Sequence, residues 1–181
     1  MSMLLKKVTF SLPEYQDIKK LYKTAFPADE RAPFPLMMLR AMQKKADFRS
    51  VYDNGEWAGM VYIMGCNGLY YIFYLAVAEN KRNGGTGSRI LKAVLERYKG
   101  KRIFLAIEHP DENADNYEMR VRRRNFYLRN GFRDLNKKIT ENTVTYDMLG
   151  IGEPASDEEY RKIMAGFLGS IAAKIIPLGI E

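Results

Sequence analysis

Cysteine and histidine are almost missing from this sequence, whose 181 residues include one of each, Cys66 and His109. A lone cysteine excludes an internal disulfide. Cys66 lies in Gly65-Cys66-Asn67-Gly68, a turn sequence, and His109 is no obvious partner for it, so Cys66 reads as an incidental turn residue rather than a nucleophile. No apolar run approaches the roughly 18 residues that a membrane span needs, and the chain opens without a charged, apolar, small-residue leader. The expectation is a cytoplasmic protein that uses neither a membrane nor a metal.

What is present suits one compact domain. At 46% hydrophobic the chain can bury a sizeable core. The net charge of +7 could serve a nucleic acid, an anionic cofactor or solubility. The densest basic cluster is Arg120, Arg122, Arg123, Arg124 and Arg129, in a helical segment with no recognisable nucleic-acid module beside it. No nucleic-acid partner is expected.

Val8-Thr9-Phe10 reads as a first strand, followed by Ser11-Leu12-Pro13-Glu14 as N-cap, early proline and capping-box glutamate. The helix after it has Leu12, Tyr15, Ile18, Leu21, Tyr22, Ala25 and Phe26 on one stripe. From Phe26 to Pro35 three prolines forbid regular structure, and a short helix resumes over 36–44. Strands at 48–52 and 57–64 flank Asn54-Gly55, a hairpin signal, and Asn67-Gly68 turns the chain into a strand at 70–77. Later come a strand at Ile103–Ile107 ending on Glu108, a helix opened by Asp115 and Glu118 and closed by Asn130-Gly131-Phe132, and a strand pair at 132–138 and 143–148. Ser156-Asp157-Glu158-Glu159 caps an amphipathic tail helix with Tyr160, Ile163, Met164, Phe167, Leu168 and Ile171 on one face, packed on the domain or forming a dimer seam.

The chemistry is concentrated in Lys81-Arg82-Asn83-Gly84-Gly85-Thr86-Gly87-Ser88-Arg89, between the apolar 70–77 run and the periodic Ile90, Leu91, Val94, Leu95. That is strand, glycine loop, helix. The first amides of a helix lack intrahelical partners and its N-terminal dipole end is positive, so the loop predicts an anion site, for phosphate. A dinucleotide fingerprint starting at Gly85 would need a glycine where Ile90 stands, and a Walker loop would need Gly-Lys-Ser/Thr at its end. Neither fits.

Arg82-x-x-Gly85-x-Gly87 after Leu75-Ala76-Val77 resembles the acetyl-CoA loop of the GCN5-related N-acetyltransferases, and Asn125-Phe126-Tyr127-Leu128-Arg129-Asn130-Gly131-Phe132 resembles the tyrosine helix of the same GNAT family. Order and spacing of the two motifs agree over about residues 1–149. The resemblance implies an α+β, three-layer fold with a central, mostly antiparallel, splayed sheet flanked by helices, here with residues 150–181 as a C-terminal helical extension on the same domain. It implies an N-acetyltransferase that moves an acetyl group from acetyl-CoA directly to an amine of a small molecule or peptide, working as a monomer or homodimer.

Residue by residue, the resemblance implies that the backbone of Leu75, Ala76 and Val77 holds the pantetheine arm and the thioester carbonyl, and that amides of Arg82, Asn83, Gly84, Gly85, Thr86, Gly87 and Ser88 hold the pyrophosphate. Tyr127 becomes the acid for the departing thiolate; donation from a phenol to a thiol is uphill by roughly two kcal/mol at equilibrium and feasible at close range. Glu108, where the family's sheet is expected to splay, ranks first as base, with Asp29, Glu30 or a water chain as competitors. The resemblance also implies acceptor contacts from Asp29, Glu30, Phe34, Tyr71 and Phe73, in the segment after the first helix and the strand before the loop. Many relatives carry asparagine and alanine upstream of the tyrosine, where this chain has Arg120 and Arg123. These arginines meet cofactor phosphates or form a solvated face. A non-catalytic CoA-binding regulatory domain is the main alternative, and a basic nucleic-acid-binding protein the third.

Overall fold

The computed structural model describes residues 3–141, 144–170, 173 and 176–181. Its elements are β1 (Met3–Lys7), α1 (Tyr15–Ala25), α2 (Phe34–Met42), β2 (Ala46–Asp53), β3 (Glu56–Cys66), β4 (Leu69–Val77), α3 (Thr86–Arg97), β5 (Arg102–Glu108), α4 (Tyr117–Arg129), β6 (Arg133–Glu141), β7 (Val144–Ile151), α5 (Asp157–Leu168) and β8 (Leu178–Ile180). The strands hydrogen-bond in the order β1-β2-β3-β4-β5-β7-β6-β8. The pairs β1–β2, β2–β3, β5–β7, β6–β7 and β6–β8 are antiparallel, and β4–β5 is parallel. This is the mixed helix-and-sheet architecture with a mostly antiparallel sheet that the sequence predicts. No helix among the described residues is long and apolar enough to cross a membrane.

The chain divides into two compact units, residues 1–64 with 72–99 and residues 65–71 with 100–181. In the first, β2 sorts its side chains by parity, as a strand must. Phe48 meets Phe34 of α2 edge-on at 5.8 Å, and the Tyr52 hydroxyl donates to Glu14 beside α1 at 2.6 Å. Asp47 and Asp53 face the opposite way, toward Tyr98, Arg97 and Arg89 on and just after α3. Both hairpin turns form as the sequence predicts, with Asn54-Gly55 and Asn67-Gly68 all at positive φ. Gly59 cannot be anything else: a Cβ there would sit 2.1 Å from the Ala76 carbonyl oxygen, so a glycine lets β3 approach the strand that leads to the loop.

Several boundaries move. The first strand is Met3–Lys7 rather than 8–10, because those residues pair with Arg49–Asp53, and Val8 adds one further bond to Phe48. Helix α1 begins at Tyr15 with no side-chain cap: Glu14, expected to close a capping box with Ser11, is taken by Tyr52. Helix α2 begins at Phe34, within the stretch read as irregular, since a proline in a helix's first turn costs no hydrogen bond. Helix α4 starts after Asn116, and neither Asp115 nor any other side chain caps it.

In the second unit, β4 contributes Leu69–Tyr71, which pair with Arg102–Phe104 and go no further, although β5 continues to Glu108. The Ser156–Glu159 capping box of α5 forms with both of its hydrogen bonds, and α5 buries Tyr160, Ile163, Met164 and Phe167. Strand β8 was not foreseen. It adds to β6 through Leu178–Ile180, and Glu181 exchanges two further backbone bonds with Lys138. Thr143 and Ile171, assigned to a strand and a helix face from sequence, lie outside the described residues.

Candidate active site

The glycine loop belongs to the first unit. Gly85 is the N-cap of α3, at φ 71° in the left-handed region that glycine enters without strain, and no side chain caps the helix. A Cβ on Gly84 would meet nothing within 4 Å, so the loop is open above its backbone. Uncapped first-turn amides beneath open space are what an anion needs.

Arg89 holds this loop rather than adding free charge. Its guanidinium donates to the Gly84 carbonyl at 2.8 Å and the Thr86 hydroxyl at 3.0 Å, and it pairs at 2.6 Å with the buried carboxylate of Asp53. Lys81 is likewise paired with Glu56. Arg82 is exposed, and its Nε donates to the Val77 carbonyl at 3.2 Å, so one of the backbone groups expected to face a ligand is already engaged. Leu75 and Val77 are half-buried and Ala76 buried at the end of β4.

The same unit carries the proline loop. Tyr22 donates to the Ala32 carbonyl at 2.8 Å, while the Tyr74 hydroxyl accepts from the Ala32 amide at 2.9 Å and donates to the Glu30 carbonyl at 2.8 Å. Two core tyrosines thus pin a segment that has no regular structure, which leaves Asp29 exposed and Glu30 half-buried on a fixed backbone. Burial raises the Tyr22 phenol well above its ordinary value, so it remains a donor. Phe34 is a core residue, packed against Tyr15, Tyr22 and Phe48, and Phe73 lies half-buried against Tyr74.

Glu108, Tyr127 and Tyr71 belong to the second unit. Helix α4 ends in a Schellman arrangement, with Gly131 at φ 90° donating to Leu128 and Phe132 donating to the Tyr127 carbonyl. The Tyr127 ring lies between Phe126 and Phe132 at 5.1 and 5.6 Å. Its hydroxyl makes no hydrogen bond among the described residues. Burial raises this phenol above its ordinary value, against the opposing charge of Arg123, so it carries its proton at neutral pH. Tyr71 is buried, stacked on Phe104 at 4.6 Å.

Arg120 and Arg123 are not free for a cofactor phosphate, because both pair with Glu108, whereas Arg122 and Arg129 are exposed. Spaced by three and four residues, Arg120, Arg123, Arg124 and Tyr127 share one helix face. Arg120 reaches Glu108 Oε1 at 2.7 Å, Asn116 at 2.6 Å and the His109 carbonyl at 3.0 Å. Arg123 reaches Glu108 Oε2 at 3.4 Å. Both oxygens of Glu108 therefore already face guanidinium groups, and a substrate ammonium would have to enter against two cations.

Two carboxylates missed from sequence complete the picture. Asp147, 4% exposed, lies on β7 and accepts from Arg124 at 2.9 Å, from Lys138 and from the His109 ring at 2.8 Å. Glu141 Oε1 accepts from the hydroxyls of Tyr71 and Tyr160, each at 2.8 Å, and burial raises this carboxyl above its usual range against those bonds. The signal for Asp147 was present: one acid inside the apolar run Tyr146-Asp147-Met148-Leu149 is costly unless it is paired.

The family description for the acetyltransferase (GNAT) domain matches residues 44–134, which include the glycine loop and Tyr127. The chain belongs to the GNAT acetyltransferase family. No curated protein matches it by sequence. Solved GNAT folds align closely: a GNAT-family protein from Bacteroides thetaiotaomicron at TM-score 0.74 and 22% identity, over 94% of this chain and 98% of that one. An aminoglycoside 6'-N-acetyltransferase complexed with coenzyme A aligns at 0.61 and 15%, over 84% and 99%. A Bacillus subtilis acetyltransferase in complex with CoA aligns at 0.57 and 15%, over 84% and 98%. At these identities the likeness concerns the GNAT fold.

Proposed function

We propose that the protein is a cytoplasmic N-acetyltransferase that moves an acetyl group from acetyl-CoA directly to a primary amine, with residues 1–149 as its catalytic region and 150–181 as an extension. The observation that carries this reading is the uncapped start of α3, with Gly85 at positive φ and open space over Gly84. Amides of residues 82–88 bind the pyrophosphate there, and the exposed Arg82 adds charge: of the loop's basic residues Lys81, Arg82 and Arg89, it is the one with no acid partner among the described residues. The strand end Leu75–Val77 positions the thioester.

Acetyl-CoA supplies an activated acyl carbon and a thiolate leaving group. Tyr127 donates the proton to that thiolate: its hydroxyl is unpartnered, still protonated and on a helix whose end is locked. Asp29 and Glu30, carried on the pinned proline loop, supply negative charge for a cationic acceptor. Relatives of the fold include an aminoglycoside acetyltransferase, an example of such an acceptor. The test is thiol release from acetyl-CoA across amines, amino acids, peptides and aminoglycosides. Tight CoA binding with no release on any acceptor would make the protein a CoA-binding regulatory domain instead.

A further inference from the structure

The chain's only histidine follows β5 directly and lines an open cleft of about 550 Å³ together with Glu108, Asp111, Glu112, Arg120 and Thr145. The ring is 60% exposed on its side chain, yet one of its nitrogens is fixed: Nδ1 lies 2.8 Å from Oδ2 of Asp147. Asp147 is itself held on three sides, by Arg124, by Lys138 directly across the β6–β7 ladder and by the ring. Burial alone would push this carboxyl up, but the hydrogen bonds from Lys138 and His109 outweigh it and hold Asp147 below the usual carboxylate range.

That arrangement selects a tautomer. An acceptor that stays a carboxylate can only receive a proton, so Nδ1 must carry the hydrogen and the neutral ring presents its lone pair at Nε2. Nε2 has no hydrogen-bond partner among the described residues. Glu108, the neighbouring candidate, has both oxygens engaged by arginines. Helix α4 connects the two ends of the chemistry: Arg124, which anchors Asp147, stands three residues before Tyr127 on the same face.

We propose that His109 is the proton acceptor for the incoming amine, oriented by Asp147 as a positioning residue. This rests on the acetyltransferase reading above. In the transfer the amine nitrogen bonds to the acyl carbon, the carbon–sulfur bond breaks and its electron pair leaves with sulfur. Of the two protons lost by the ammonium, one passes to Nε2 and on to solvent. The other makes good the proton that Tyr127 gives to sulfur. Asp111 and Glu112, both exposed, and Glu108 with its partner Arg120 are the other charged residues that line the cleft, and Arg124 and Lys138 meet the ring's partner Asp147.

Two measurements test it. Because the chain has a single histidine, nitrogen NMR of the full-length protein labelled at histidine reports this ring alone; in its neutral form Nδ1 should be protonated and Nε2 bare. The opposite tautomer, with Nε2 protonated, overturns the proposal. The second compares His109→Gln with the parent enzyme on ethylamine and on 2,2,2-trifluoroethylamine, an amine of similar size that is already largely neutral at assay pH. Turnover of ethylamine should drop about 100-fold or more, and turnover of the fluorinated amine less than threefold. Equal losses on both amines would make His109 structural and overturn the proposal. If the parent releases thiol with neither amine nor any other acceptor, the acetyltransferase reading fails, and the tautomer measurement still decides the dyad.

Discussion

The amide of Phe132 donates to the carbonyl of Tyr127 at 3.2 Å, and the two rings lie 5.6 Å apart. The residue that ends the helix thus fixes the residue proposed to do the chemistry, by both backbone and side chain. The Gly-Phe pair four and five residues after the tyrosine is the physical content of that sequence motif: glycine turns the chain and phenylalanine covers the last turn.

Replacing Tyr127 with phenylalanine removes a hydroxyl that bonds to nothing among the described residues, so thermal stability and CoA affinity should change little. Turnover should fall by about 10²- to 10⁴-fold, the usual cost of losing a positioned general acid. An acetyl thioester with a better leaving group should recover part of the rate. Phe132→Ala is the contrast: it empties a buried site and should cost about 3–5 kcal/mol of stability in a urea melt. A Tyr127→Phe variant that loses less than about threefold in turnover returns Tyr127 to a packing role.

Asp29 and Glu30 make a second test. Their loop is held by Tyr22 and Tyr74 through backbone atoms, so exchanging the two side chains for Asn and Gln should leave its path intact. The acceptor KM should rise while acetyl-CoA affinity is spared. Unchanged acceptor kinetics would move recognition to the cleft beside His109.

Motifs whose function lies in the backbone were legible from sequence: both Asn-Gly turns, the glycine N-cap of α3, the Gly-Phe helix end and the Ser156–Glu159 capping box all stand where they were read. Such signals are local. What the sequence hid depends on partners distant in the chain. Glu14 had the spacing of a capping box, yet Tyr52, 38 residues away, binds it. Arg120 and Arg123 looked free because Glu108 is brought to them only by the packing of α4 on β5. His109 and Asp147 are likewise 38 residues apart, and nothing near either one announces the other. Tyr71 and Phe34, read as acceptor contacts, have their rings in the interior, since aromatic residues suit either place and sequence alone does not choose.

Acid stability should report the start of α5. Glu159 accepts from Arg102 and from the Ser156 amide, and these bonds, Arg102 first, hold its carboxyl down to about 2. A folded-state value below the unfolded one of about 4.3 means that the contribution is fully present above that pH and is lost as pH falls toward 2. Glu159→Gln should therefore be less stable than the parent at pH 7, and the gap should close in urea melts taken near pH 2. Ser156→Ala should cost about 1 kcal/mol at pH 7, the ordinary value of a helix cap. A gap for Glu159→Gln that is unchanged between pH 7 and pH 2 would show that the ion pair contributes nothing.

The loop offers the sharpest test of the cofactor site, because two substitutions should fail in different ways. Gly87 stands in the first turn of α3, and a valine there places a branched side chain among the amides that a pyrophosphate must reach. Gly87→Val should fold with little loss of melting temperature and show no further stabilisation when CoA is added. Asp53→Asn acts from below. It removes the charge that holds Arg89, whose guanidinium ties Gly84 to Thr86, so the loop loses its brace while its amides stay open. Because Asp53 is buried, leaving Arg89 without its anion should lower the melting temperature of the free protein, and CoA should still raise it, with weaker affinity. Bound CoA stabilises according to its concentration over its dissociation constant, so a titration of melting temperature against CoA separates the two outcomes. Undiminished CoA stabilisation of Gly87→Val would remove the phosphate from this loop, and with it the assignment of residues 82–88.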